Sequence, residues 1–141
     1  MFERVGYHGL VSAGRLERTG RLAFMDGCSD TVLVSPPKAG DPVLNHLHIP
    51  SGVSQTPHFH PSDRLGVVTD GGGIAWIGRK EPSEVRLQRN SIFCVEAHEV
   101  HAFETSDHSL DVVVFHPDSD WGPTDAVHPM RNRSVLVTPN E

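Results

Sequence analysis

The sequence predicts an all-β chain, a single domain whose strands close into a barrel or sandwich. Three observations carry this. The chain has 141 residues, about the size of one domain with one core. Thirteen Gly and 11 Pro argue against long helices. The apolar residues fall in short runs rich in Val, Ile, Leu and Phe, separated by turn residues.

Candidate strands run in order over Leu22–Met25, Thr31–Ser35, Val43–Ile49, Leu65–Thr69, Ile74–Gly78, Glu84–Gln88, Ile92–Val95, Val100–Thr105 and Asp111–His116. Gly27-Cys28-Ser29-Asp30 separates the first two. Pro36-Pro37 ends the second, because proline has no N–H for a ladder. Asp70-Gly71-Gly72-Gly73 reads as a hairpin turn, since glycine supplies positive φ there. Arg89-Asn90 marks a turn before Ile92. In Val43–Ile49, period-2 alternation puts His46 and His48 on one face with Leu44, and Asn45, Leu47 and Ile49 on the other. After His116 the character changes: residues 117–141 are rich in Pro and Asp and read as a tail over the barrel, with Trp121 as anchor.

The formal net charge of −6 argues against nucleic acid or an anionic membrane surface as the main partner. No apolar run approaches the ~18 residues that span a bilayer. Residues 1–14 show no basic stretch followed by an apolar core, so no signal peptide is expected. Cys28 and Cys94 form no CxxC and read as reduced thiols in a cytoplasmic protein, Cys94 as a buried small hydrophobe.

The unusual number is 10 His. At i and i+2 on a strand, His58 and His60 point to the same side and can reach one cation. The spacing alone is weak evidence, since about one such pair is expected by chance and the chain has a second, His46 and His48. Context raises the first pair: Gly52 makes a turn before it and Pro57 fixes the backbone just ahead of it. His101 opens a later strand, and a third imidazole there would complete a facial set with open coordination positions.

These residues resemble the first motif of the cupin superfamily: a Gly, five residues, His-x-His, three or four residues, Glu, then a later Gly. Gly52, the spacer, His58 and His60 match; the later Gly is met within Gly71–Gly73. Arg64 stands where that motif has Glu. Of the second motif, Pro-x-Gly-x-x-His-x-x-x-Asn, only the His is kept, as His101; Glu96, His98 and Thr105 hold the other positions. The resemblance covers roughly residues 40–116. It implies a jelly-roll β-barrel core over 40–116, with a divalent metal ion at His58, His60 and His101. It also implies a homodimer, with residues 1–39 as N-terminal strands and a possible dimer arm.

A three-His set without the carboxylate leaves a divalent ion its full charge and three sites for water, an anionic substrate or dioxygen. Iron or zinc fits best, with manganese or nickel as further possibilities. The expected function is a metal-dependent enzyme acting on a small polar, carboxylate-bearing metabolite in a biosynthetic pathway, by dioxygen activation or Lewis-acid chemistry. A non-catalytic small-molecule-binding or sensor cupin is the alternative. Arg64 is expected to pair with an acid such as Asp63 or Glu96, or with a substrate carboxylate. His46 and His48 line the cavity as acid/base groups if their face of the strand looks inward, and Glu96 is a candidate general base. His98 and the outlying His8 and His108 read as surface residues. Trp121 and His128 are candidates for closing the mouth.

Overall fold

A computed structural model describes residues 13–36, 41–117 and 135–137. Residues 1–12 and 37–39 of the expected N-terminal strands and dimer arm, with His8, Trp121 and His128, lie outside the described residues.

Ten strands are present among the described residues: β1 (Leu22–Ala23), β2 (Ser29–Val34), β3 (Val43–Ile49), β4 (His58–Phe59), β5 (Arg64–Ile77), β6 (Ser83–Gln88), β7 (Ile92–Val95), β8 (His101–Glu104), β9 (Leu110–His116) and β10 (Val135–Leu136). A single 3-10 turn, Met25–Gly27, is the one helical element there. The strands hydrogen-bond in the order β1-β2-β3-β9-β5-β8-β4-β10, with β6 and β7 also paired to β5. All pairings are antiparallel. Seven of these strands, β3 through β9, lie between residues 43 and 116. β10 falls in the tail and pairs with β4, where the Val137 N–H also donates to the Pro57 carbonyl at 2.9 Å.

Alternation sets the core. Val43, Asn45, Leu47 and Ile49 of β3 are buried, as are Leu110, Val112, Val114 and His116 of β9. Val68 of β5, Leu87 of β6 and Phe103 of β8 complete one cluster with Cys28 and Ala75. Each fully buried Ile, Leu or Val contributes roughly 1.5–3 kcal/mol relative to exposure. Ile49, Val68, Leu110 and Val112 are completely sequestered and anchor the interior.

The expected hairpin at Asp70–Gly73 is not a turn. β5 runs unbroken for 14 residues through it. Its first part pairs with β7 and β9, and its second with β6 and β8. The glycines serve close packing instead. A Cβ on Gly71 would lie 1.8 Å from the Ser109 carbonyl oxygen, and one on Gly73 would lie 2.4 Å from that of Glu104. Gly71 also has φ +70°, beside an irregularity in the β5–β9 register between Val68 and Asp70.

Candidate metal centre

His58 on β4 and His101 on β8 are direct cross-strand partners. His60 lies two residues beyond His58, on the same side of the chain. The ring centroids are 4.4 Å apart for His58–His101 and 5.0 Å for both His58–His60 and His60–His101. One nitrogen from each ring lies within 4.8 Å of the others, and all three residues are buried.

Local structure aims these rings. The Thr56 N–H donates to Asp26 Oδ2 at 2.6 Å, fixing the approach to β4. Asp26 itself sits at φ 55° in the 3-10 turn. The His98 N–H donates to the His60 carbonyl at 2.8 Å, tying the end of β4 to the turn before β8. His98 has φ 65° in that turn and is exposed, as its surface reading expects.

Two tautomers follow from hydrogen bonds. His58 Nδ1 lies 2.8 Å from the Thr56 carbonyl oxygen, and His101 Nδ1 lies 3.0 Å from that of Glu99. A carbonyl only accepts, so each Nδ1 carries the proton and each Nε2 keeps its lone pair. His60 Nδ1 is buried without a hydrogen-bond partner among the described residues. A buried orphan of this kind calls for a water or an ion.

The electrostatics agree. Burial, then the Arg64 guanidinium, holds the His60 imidazolium far below the ordinary histidine range. Burial and then His58 hold His101 down to about 3, and burial lowers His58 as well. All three imidazoles are therefore neutral near pH 7, the form in which they ligate metal, with no proton to displace. Three neutral nitrogens, with the outer ring nitrogens of His58 and His101 anchored to backbone carbonyls, fit a divalent ion such as zinc or iron(II).

The rings open into a cavity of about 40 Å³. Its apolar wall includes Phe24, Phe93, Phe103 and Val114; its polar wall is Asp30, Asn45, Gln55, Arg64 and His116. This space holds a few water-sized groups, so a small ligand, or the small end of a larger one, is what fits.

Arg64 is buried and lines this cavity. Its Nη1 donates to Ser62 Oγ at 2.6 Å, to the Ser62 carbonyl at 2.8 Å and to the Asp63 carbonyl at 3.0 Å. The Asp63 carboxylate is engaged elsewhere, accepting from the Ala97 N–H at 2.8 Å. Glu96 is exposed and does not line the cavity.

His46 and His48 do not line the cavity either; they lie on the opposite face of β3. There both approach Asp111 Oδ1, His46 Nε2 at 3.1 Å and His48 Nδ1 at 2.8 Å. The physical reason is that Leu47 and Ile49 claim the cavity side, which turns the alternate positions to the other face, where His46 is nonetheless fully buried and His48 half-buried. Cys94 is exposed rather than buried, because Phe93 and Val95 face inward on β7. Cys28 is the buried thiol, its pKa pushed up to about 11 by burial and then by Asp26.

Sequence reasoning missed Asp30, Asn45, Gln55 and His116. Asn45 was legible in principle: it shares the face of Leu47 and Ile49, and the more apolar face is the inward one. His116 follows the same way from Leu110, Val112 and Val114.

No protein-family model and no curated protein matches the chain. Solved structures do. A cupin-2 domain from Rhodospirillum rubrum superposes with a TM-score of 0.67 at 16% identity, covering 94% of this chain and 84% of that one. The polyketide cyclase RemF from Streptomyces resistomycificus gives 0.59 at 20% identity, covering 75% and 80%. The DMSP lyase DddQ from Ruegeria pomeroyi gives 0.62 at 19% identity, covering 90% of this chain and 61% of that one. Likeness at these identities is likeness of fold, and the fold of this chain is the small double-stranded β-helix of the cupins.

Proposed function

We propose that this chain is a metal-dependent enzyme acting on a small polar metabolite by Lewis-acid chemistry. The observation that carries the reading is the convergence of three buried, neutral imidazoles, His58, His60 and His101, at the wall of a small cavity. A divalent ion bound there supplies a strong Lewis acid, since no carboxylate in the ligand set offsets its charge. The chain's own part is to orient the rings through Thr56 and Glu99, exclude bulk water with Phe24, Phe93 and Phe103, and restrict entry by size. Arg64 places a positive charge in the same cavity, which favours a ligand with an anionic end such as a carboxylate. That proteins of this fold include a polyketide cyclase and a DMSP lyase is consistent with such chemistry.

The test is metal content and turnover. Protein purified without chelators is expected to carry one equivalent of a divalent metal by mass spectrometry, lost in a His58→Ala, His101→Ala double variant. Zinc content supports the Lewis-acid reading. Iron with ligand-dependent oxygen uptake points to dioxygen activation at the same three residues.

One observation favours a second reading. The Arg64 guanidinium opposes a dication, as it opposes protonation of His60 and His101. A non-catalytic cupin would use Arg64 to bind a small anion without metal. Metal-free protein that still binds a small carboxylate would establish that reading instead.

A further inference from the structure

The hairpin that joins β1 to β2 precedes the stretch that resembles the cupin motifs, yet its tip reaches the metal centre. Met25 to Cys28 form its turn. The Cys28 N–H donates to the Met25 carbonyl at 3.0 Å, and the Phe24 N–H to the Cys28 carbonyl at 2.8 Å. Both central residues are left-handed, Asp26 at φ 55°, ψ 31° and Gly27 at φ +80°. This is the I′ geometry of a two-residue hairpin loop, which Asp-Gly favours. The turn accounts for the backbone of Asp26 and leaves its carboxylate to be explained.

Both carboxylate oxygens bond Thr56. Oδ2 accepts from the Thr56 N–H at 2.6 Å, and Oδ1 accepts from its Oγ1 at 3.2 Å. Thr56 is also the residue whose carbonyl holds the His58 ring, 2.8 Å from Nδ1. The chain before it is pinned by the Gln55 N–H, which donates to the Phe103 carbonyl at 2.9 Å. Pro57, after it, has no N–H to give. Between Gln55 and His58 the Thr56 N–H is therefore the only backbone donor, and Asp26 is the group that takes it. The same hairpin sets the Phe24 ring edge-on to His58, with centroids 6.3 Å apart.

We propose that Asp26 is a positioning residue, which acts through Thr56 to hold the His58 ring in place for a metal ion. The inference rests on the metal-site reading above and adds a part of the chain to the site. The β1–β2 hairpin, whose position in the sequence suggests N-terminal strands and a dimer arm, is an outer bracket for one of the three ligands. His101 is anchored separately, at the Glu99 carbonyl, and serves as the internal reference.

The experiment uses the full chain, and the zinc stoichiometry of the wild type is measured first. Zinc affinity is then read by competition with a chromogenic chelator. Exchange of the His58 and His101 Nδ1 protons is read by NMR on the metal-free chain. Asp26→Gly suits the left-handed turn and removes only the clamp. It is expected to unfold as cooperatively as the wild type and to speed exchange at His58 while leaving His101 unchanged. Its zinc affinity is expected to fall about ten-fold, the lower end of the range for an outer partner of a metal ligand. Asp26→Asn keeps an acceptor for the Thr56 N–H, in a turn that Asn also favours, and is expected to stay within about two-fold of the wild type. A merely structural role moves both rings together. Wild-type zinc affinity and His58 exchange in Asp26→Gly, equal changes at His58 and His101, or the same loss in Asp26→Asn overturns the proposal. A wild type that loads no zinc counts against the metal reading instead, and the His58 exchange rates then decide the positioning role by themselves.

Discussion

His58 and His101 stand directly opposite each other across the β4–β8 pair, with ring centroids 4.4 Å apart. The pairing that joins the two strands is therefore the pairing that brings two of the three imidazoles together.

Removing either ring is expected to cost more metal affinity than the roughly 10–100-fold typical of an outer-shell partner. Titration of metal-free His58→Ala and His101→Ala with zinc, followed calorimetrically, checks this. Wild-type affinity in either variant excludes the site.

The depressed imidazoles set a pH dependence. They are neutral in the folded protein and protonate in the unfolded chain below the ordinary histidine value of 6.5. The unfolded state then binds more protons, so the stability of the metal-free protein falls as pH drops from 6.5 toward 3. One imidazole contributes about 1.4 kcal/mol per pH unit within its window. His101→Gln is expected to flatten the slope by that amount in denaturant titrations between about pH 6 and pH 4.

Asp30 works in the opposite sense. Burial raises its carboxyl from 3.8 to about 7, partly offset by the Asn45 hydrogen bond. Between those values the folded state holds the extra proton, so this residue's contribution to stability is lost as pH rises toward 7. Asp30→Asn is expected to remove that contribution and leave a steeper rise in stability from about pH 4 to pH 7 in the same denaturant titrations.

Arg64 is expected to weaken metal binding. Its charge lowers the proton affinity of His58, His60 and His101, and a dication meets the same repulsion. Arg64→Met is expected to bind zinc about ten-fold more tightly, the effect of about 1.4 kcal/mol of relieved repulsion. Competition against a chromogenic chelator reads this directly.

Gly71 has no room for a side chain. Its φ is +70°, and a Cβ would meet the Ser109 backbone carbonyl. Gly71→Ala is expected to destabilise the fold by at least roughly 1–3 kcal/mol, the usual cost of left-handed backbone at a non-glycine residue. Thermal unfolding checks it.

What was legible in the sequence was what alternation and local spacing encode. β3 and β7 match their expected limits, and the His58, His60 and His101 set comes together as the motif spacing implies. What was not legible depended on neighbours distant in sequence. The Gly71–Gly73 run looks like a turn, because its real constraint, the carbonyls of Ser109 and Glu104, lies far along the chain. His46 and His48 drew attention by residue type, yet Leu47 and Ile49 decided which face turns inward. Asp30 joins the cavity only through its pairing with β3.

β5 serves both halves of the barrel without interruption, beginning at the cavity with Arg64 and reaching β8 beside His101. A shared strand of this kind leaves no seam along which the molecule can come apart piecemeal. An ion gripped at one rim should therefore slow amide exchange along the whole length of that strand, Val68 in the interior included, making the mouth and the core a single cooperative unit.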